Sequence, residues 1–253
     1  MSDHSSEHAH GWETSPWPLP LAFGILFLIP LSFSFHFVYG KSLLAMMSLG
    51  IGVPMVLISV AGWTRESLED KYGWSSGYIV GAMPFFIVAE AFIFIAFLAA
   101  YWVIKLSATA WPPPGTPEFP ILVPIIMTII LVSSSVTIHV AEERLDHDDQ
   151  AGFVKWLVAT IVLGAVFLGF TAMEWSHFIH EGFVVGTNAK GTVFYSITGF
   201  HASHVFVGLA IFFCILFPAL GGKISKPFVQ AGSIYWHFVD IVWFFVVSQV
   251  YFW

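Results

Sequence analysis

Six ionisable side chains lie inside long apolar stretches of this sequence: Glu90, Glu174, His201, His204, His237 and Asp240. A charged side chain at the centre of a bilayer costs roughly 2.5–3.5 kcal/mol even on lenient insertion scales, so such residues usually face the protein interior and often mark proton or ion pathways. His201 and His204 are three residues apart and therefore share one face of a helix. The same spacing places His237 and Asp240 on one face. We expect these two pairs to form hydrogen bonds between the sixth and seventh helices and so to hold a helix bundle together.

Glu90 lies near the middle of an apolar stretch that runs from residue 77 to residue 104. One face of this helix carries an alanine stripe: Ala82, Ala89, Ala96 and Ala100. Small residues let membrane helices pack closely, so this stripe is the expected packing seam. Glu90 is about 100° round the helix from the stripe and faces bulky apolar side chains instead.

Two interpretations of Glu90 stay open, because burial favours the neutral form of a carboxyl group. In the first, Glu90 is a protonated acid that donates one hydrogen bond to a neighbouring helix. In the second, it takes part in proton handling, lipid contact or gating.

A metal site is the less favoured interpretation of these residues. Glu174 and His177 have the Glu-x-x-His spacing of a di-iron ligand pair in a helix bundle. Such a site needs two motifs of this kind and two further glutamates, and the sequence contains one motif. Spacing alone does not favour haem ligation by the histidines either. We therefore expect this chain to bind no metal or haem.

The composition is that of a membrane protein. Of 253 residues, 57% are hydrophobic and 10% are charged, whereas soluble domains carry about 25% charged residues. The net charge of −7 gives no reason to expect nucleic-acid binding. Seven stretches are long and apolar enough to cross a bilayer as helices, namely residues 19–38, 43–63, 77–104, 121–140, 153–178, 192–219 and 232–253. The predicted fold is all-α, a polytopic bundle of seven transmembrane helices.

Polar segments divide the chain into four predicted parts. Residues 1–16 are a polar N-terminal tail, and residues 17–63 form a hairpin of the first two spans. Residues 64–76 are a polar linker, and residues 77–253 carry the other five spans as a bundle. A linker of this kind lets the hairpin splay away from the bundle.

Two motifs resemble subunit III of the haem-copper cytochrome c oxidases: Tyr235-Trp-His-Phe-Val-Asp-Ile-Val-Trp243 and Thr198-Gly-Phe-His-Ala-Ser-His-Val205. Supporting matches are Trp111-Pro-Pro-Pro-Gly115, Glu90 in VAEAFIF, and Glu174 beside Trp175. In order and spacing, the resemblance covers the chain from Pro16 to Trp253. The family often has a Trp-Trp-Arg-Asp block after the second span, of which this sequence keeps only Trp63, Arg65 and Glu66.

The resemblance implies a non-catalytic subunit of a proton-translocating terminal oxidase of aerobic respiration. In that family, subunit I holds the haems and one copper centre, and subunit II usually carries the other copper centre and receives electrons from cytochrome c. The seven helices form a V of two plus five, whose cleft holds phospholipids and contains the glutamate matched by Glu90. The implied role is to stabilise subunit I through turnover and to support proton uptake.

Further expectations about partners follow from the same resemblance. The chain should pack directly on subunit I and assemble with subunit II and small subunits, while cytochrome c docks on the complex. The membrane would be a bacterial-type plasma membrane or the mitochondrial inner membrane. Arg65 is our candidate for a phospholipid headgroup, because guanidinium pairs well with phosphate. The complex as a whole is an oxygen-reducing enzyme, and whether the isolated chain has activity is left open.

Two alternatives stay open. A subunit III of a quinol-oxidising haem-copper oxidase would have a similar sequence, and the copper ligands of its subunit II would distinguish the two complexes. A proton-coupled transporter that uses Glu90 and Asp240 is the second alternative, which predicts inverted repeats and broken helices. We see neither feature clearly in the sequence.

The distribution of lysine and arginine predicts the orientation of the chain. Six of the nine lie on the side of the N-terminus, and three lie on the other side, namely Lys41, Lys105 and Lys190. The positive-inside rule then places the N-terminus in the cytoplasm or the mitochondrial matrix. Reporter fusions at both ends should detect the two termini on opposite faces in that sense. An N-terminus in the periplasm or intermembrane space would show that the prediction is wrong.

Overall fold

The computed structural model describes residues 15–68 and 78–253, and the side chains of residues 15–66 and 80–253. The predicted tail, apart from its last two residues, and most of the predicted linker lie outside these residues. Every regular element in the described part is helical, and seven helices are long and apolar enough to cross a membrane. The prediction of an all-α membrane protein with seven spans is confirmed. The helices are α1 Pro18–Val38, α2 Ser42–Leu68, α3 Tyr78–Ser107, α4 Leu122–Asp146, α5 Gln150–His180, α6 Ala189–Leu220 and α7 Lys226–Val250.

Several helices extend beyond the predicted apolar spans. α4 continues to Asp146, so Glu142 lies in the helix and not in the following loop. α7 begins at Lys226, six residues before the predicted span. Only the segment of a helix inside the hydrocarbon core must be apolar. The helical hydrogen bonds of the backbone can continue beyond it into the polar interface.

The contacts between residues divide the chain into two compact units, whose described parts are residues 15–68 and 78–253. In the first unit, α1 packs along α2, and the turn between them contains Gly40 with a left-handed φ of 63°. α1 widens into π-helical turns at Phe27–Leu31 and Ser34–Val38. Pro30 lies in the first of these turns, where its missing N–H and its ring prevent regular α-helical bonding.

In the second unit, side chains define where helices begin. At the start of α5, the Asp149 carboxylate accepts a hydrogen bond of 2.9 Å from the main-chain N–H of Gly152. At the start of α6, the Asn188 side chain accepts a hydrogen bond of 2.9 Å from the main-chain N–H of Gly191. These caps satisfy N–H groups that a helix start leaves unpaired.

α7 is the central helix of the second unit. It packs against α3, α4 and α6, and it is the most buried of the seven spans. Its Trp236 is fully buried, and the indole lies between α5 and α6. A Cβ atom added at Gly164 or Gly208 would lie 2.7 Å or 2.6 Å from this ring. The two glycines therefore leave the space that the Trp236 indole occupies.

Gly208→Ala should destabilise the second unit by about 1–3 kcal/mol, because the new methyl group overpacks Trp236. Gly169→Ala is the matched control, since no atom lies within 4 Å of a Cβ there. Alanine favours helix, so the control should be neutral or stabilising. The measurement is loss of helical circular dichroism of the purified chain during titration with SDS. Equal midpoints for the two variants would contradict the packing argument.

Candidate functional site: Glu90 and the buried polar residues

Glu90 of α3 contacts His204 of α6. Its Oε2 lies 3.1 Å from Nε2 of His204, and the side chains of Glu90 and His204 are 19% and 11% exposed. The rings of Phe94 and Phe200 lie 5.0 and 4.6 Å from the imidazole, centroid to centroid. The hydroxyl of Tyr235 on α7 donates a hydrogen bond of 3.2 Å to the main-chain oxygen of His204. Three helices therefore meet at this acid–imidazole pair.

The hydrogen bonds of His204 restrict where protons lie. Its Nδ1 is 2.9 Å from the main-chain oxygen of Phe200, which can only accept, so Nδ1 carries a hydrogen. Nε2 then either accepts a hydrogen from protonated Glu90 or, in the imidazolium, donates one to the carboxylate. In both states one proton lies between Oε2 and Nε2. The pair can therefore hold one exchangeable proton near the middle of α3.

The alanine stripe of α3 is not the packing seam of the second unit. All four of its alanines are exposed, whereas Phe94, Leu98 and Tyr101, on the side of Glu90, are buried in the core. The expectation that small residues form the contact is wrong for the described residues. The aromatic side chains of α3 pack against rings of α6 and α7, including those of Phe200 and Phe238.

His237 and Asp240 of α7 both contact Ser135 of α4. The Ser135 hydroxyl donates to Oδ2 of Asp240 and lies 2.9 Å from Nδ1 of His237. Because a hydroxyl has one hydrogen, Ser135 accepts from His237 while it donates to Asp240. Asp240 is buried, and its Oδ1 has no hydrogen-bond partner within the described part of the chain.

The expected hydrogen bonds between the side-chain pairs of α6 and α7 do not form among the described residues. His237 and Asp240 bond to α4, and His204 bonds to α3. His201 is buried against Trp243, with ring centroids 5.1 Å apart. Neither ring nitrogen of His201 has a hydrogen-bond partner in the described part of the chain. Residues that share a helix face thus bond to different neighbours.

A row of hydrogen bonds follows the contact between α4 and α7. Besides those of Ser135, it comprises Trp243 Nε1 to Thr128 Oγ1, Trp236 Nε1 to Ser134 Oγ, and Ser233 Oγ to Glu142 Oε2, at 2.9, 2.9 and 2.7 Å. The polar patch at residues 133–135 was the signal in the sequence for this row, although it suggests bonds to carbonyls of its own helix. Ser133 and Ser134 make such bonds, and Ser135 reaches α7 instead.

Glu174 and His177 bond to different residues. Glu174 is buried and accepts a hydrogen bond from the hydroxyl of Tyr251. Burial holds the pKa of the Tyr251 phenol well above its ordinary value, so Tyr251 stays a donor. His177 lies 3.4 Å from Glu181 on the exposed side of α5. Among residues 15–66 and 80–253, no three His, Cys, Asp or Glu side chains come together as a metal site would require.

Arg65 belongs to the first unit, whereas the other candidate site residues belong to the second unit. It is exposed and lies in the last turn of α2. Glu66, the next residue, accepts a hydrogen bond from the Ser15 hydroxyl at 2.7 Å. The assignment of Arg65 to a lipid headgroup stays a prediction.

Comparison with known proteins identifies the family. The family model for cytochrome c oxidase subunit III matches residues 8–253. A protein named cytochrome c oxidase subunit 3 from Drosophila yakuba is 31% identical over 268 aligned positions, which cover 100% of this chain and 99% of that protein. One from Xenopus laevis, with the same name, is 32% identical over 99% of this chain and 98% of its own length. One from Synechocystis is 38% identical over 66% of this chain and 72% of its own length.

The chain belongs to the cytochrome c oxidase subunit III family. It is therefore a multi-pass membrane protein and a non-catalytic subunit of an oxidase complex. The quinol oxidase and transporter alternatives are not favoured by these relatives. Within this subunit III, Glu90 is one of several polar residues of low exposure that join helices.

Ser135→Ala should destabilise the helix bundle by about 1–3 kcal/mol, because it leaves the buried Asp240 carboxyl group without its donor. Ser133→Ala is the matched control on the same helix, since Ser133 bonds only locally, to the main-chain oxygen of Ile129 at 2.7 Å. Ser135→Thr keeps the hydroxyl and should recover most of the loss. The SDS midpoint of each variant measures these effects. A loss in Ser133→Ala as large as in Ser135→Ala would refute the role of the contact between α4 and α7.

Proposed function

We propose that this subunit III supports oxygen reduction by its partner subunits and holds no redox centre of its own. The proposal is supported by the family match over residues 8–253. Haems and copper then belong to partner subunits, and cytochrome c delivers electrons to the complex through subunit II. The chain packs directly on subunit I and stabilises it during turnover.

The proposed contribution of Glu90 is to proton supply and to the endurance of the oxidase. The observation that carries this proposal is the partly buried hydrogen bond of Glu90 to His204 at 3.1 Å. A carboxylic acid and an imidazole that share one proton can exchange it without a metal. The low exposure of both side chains slows this exchange with bulk water and keeps the proton inside the membrane.

Bound phospholipid is the second part of the proposal. The family resemblance supports it, as do the many large apolar side chains that the helices expose, such as Phe85 at 80% and Phe92 at 67%. Arg65, in the last turn of α2, is the proposed headgroup partner. The proposed membrane is a bacterial plasma membrane or the mitochondrial inner membrane, with the N-terminus on the cytoplasmic or matrix side.

The test compares Glu90→Gln with Glu90→Ala in the purified oxidase complex. Glutamine can donate an amide hydrogen to Nε2 of His204, so assembly, haem content and initial rate should match the unaltered complex. It cannot release a proton, so oxygen consumption should decline sooner over many turnovers, and its pH dependence should change. Alanine removes the hydrogen bond as well and should loosen the subunit from the complex. The measurement is oxygen consumption over many turnovers at several pH values.

Glu118→Gln is the control, because Glu118 is an exposed carboxylate outside the spans. It should behave as the unaltered complex throughout. If Glu90→Gln also lasts as long and has an unchanged pH dependence, Glu90 is a structural hydrogen-bonding residue only. If Glu90→Gln abolishes the initial rate in a fully assembled complex, Glu90 acts directly in catalysis, and the proposal fails.

A further inference from the structure

A continuous chain of hydrogen-bonding groups leads from a partly exposed imidazole to a buried carboxyl group where α4 meets α7. It consists of His237, Ser135 and Asp240. The Ser135 hydroxyl lies 2.9 Å from Nδ1 of His237 and also contacts Oδ2 of Asp240. His237 and Ser135 are partly exposed, whereas Asp240 is 5% exposed. Each of the three groups can take up one hydrogen and give up another, which is the property that proton transfer along a chain requires.

Two further titratable side chains of α4 lie close to this chain. His139 and Glu142 follow Ser135 by about one and two helical turns, so the three residues share one face of α4. His139 is exposed, and Glu142 accepts a hydrogen bond of 2.7 Å from Ser233 of α7. Polar groups therefore continue along the contact between α4 and α7 toward the polar end of α4.

The titratable side chains of the other neighbouring helices bond elsewhere. Glu90 of α3 bonds to His204 of α6, and His201 of α6 has no hydrogen-bond partner among the described residues. Within residues 15–66 and 80–253, Ser135 is the only side chain that forms a hydrogen bond with Asp240. A proton that moves along hydrogen bonds of this part of the chain therefore reaches Asp240 through Ser135.

Asp240 can be satisfied in two protonation states. Its Oδ1 has no hydrogen-bond partner in the described part of the chain, and a buried carboxylate with an unpaired oxygen is costly, so burial favours binding of a proton. In the ionised state, Nδ1–H of His237 donates to Ser135, and Ser135 donates to Oδ2. In the neutral state, Oδ2–H donates to Ser135, and Ser135 donates to Nδ1. Both states keep both hydrogen bonds.

We propose that Asp240 reversibly binds a proton that enters and leaves through His237 and Ser135. The proton binds first to Nε2 of His237. Nδ1 then passes its proton to Oγ of Ser135, while the Ser135 hydroxyl passes its own proton to Oδ2 of Asp240. The result is a neutral carboxyl group and a neutral imidazole with its hydrogen on Nε2, so one proton is gained and no electron moves. Release follows the same steps in reverse. This site joins α4 to α7 and is separate from the pair of Glu90 and His204.

Infrared difference spectroscopy of the purified oxidase complex tests the proposal, because a protonated carboxyl group absorbs separately from a carboxylate. One protonated-carboxyl band should lose intensity reversibly as the pH is raised, since the proton then leaves Asp240. Asp240→Asn should remove this band, and Asp240→Glu, which keeps a carboxyl group, should shift it. After transfer into heavy water the band should move as deuterium replaces the proton, and the rate of this change measures exchange.

The exchange rate distinguishes a proton route from a structural hydrogen bond. His237→Gln keeps an amide that can donate to Ser135 but cannot pass on a proton. Exchange at Asp240 should therefore slow by about 100-fold, which is the lower end of what a general acid–base group contributes. His180→Gln is the matched control, because His180 is an exposed histidine at the end of α5. It should leave the exchange rate unchanged.

Three results would overturn the proposal. An unchanged carboxyl band in Asp240→Asn, or in Asp240→Glu if the first variant does not assemble, would show that Asp240 stays ionised. A band that is lost in Asp240→Asn but does not respond to pH would show a permanently protonated structural acid. Equal exchange rates in His237→Gln and the unaltered complex would show that the proton takes another route. None of these results bears on the test of Glu90, which uses different residues and a different measurement.

Discussion

The second unit depends on the burial of Trp236. Its indole occupies the space that Gly164 and Gly208 leave on α5 and α6, and its N–H bonds to Ser134 of α4. One side chain of α7 therefore links all three of these helices. Inside a bilayer the hydrophobic effect does not drive helices together, so close packing and hydrogen bonds must do so. Trp236 supplies both, which explains why α7 is central to the unit.

The same constraint governs the polar residues. A polar group in the hydrocarbon core has no water to bond, so its partner must come from the protein or from bound ligands. Ser135 joins α4 to α7, Tyr251 satisfies one oxygen of Glu174, and His204 bonds to Glu90. Glu90 differs from the others in its chemistry, because its partner is an imidazole that can take over the proton. This difference makes Glu90, rather than Glu174, our candidate for proton handling.

The sequence located the site residues but not their partners. The free-energy cost of placing an ionisable side chain in the hydrocarbon core distinguishes these residues from the rest of the spans. Their spacing of three residues correctly places each pair on one helix face. The spacing does not determine which neighbouring helix each side chain contacts, because two residues on one helix face can contact different helices. His201 lies against Trp243 of α7, whereas His204, one turn later, reaches α3. The polar patch around Ser135 indicated only bonds within its own helix, and nothing in the sequence indicated Tyr251 as the partner of Glu174.

The sequence by itself determined the all-α class, the seven spans and the family. Apolar length decides whether a helix crosses a bilayer, and that is a local property. Only the tertiary structure decided which face of α3 packs inward and which side chains pair across helices. The alanine stripe favours one packing of α3, but the fit of Phe94 against α6 and α7 favours another. Such a choice depends on the summed contacts of several helices, which no single helix sequence contains.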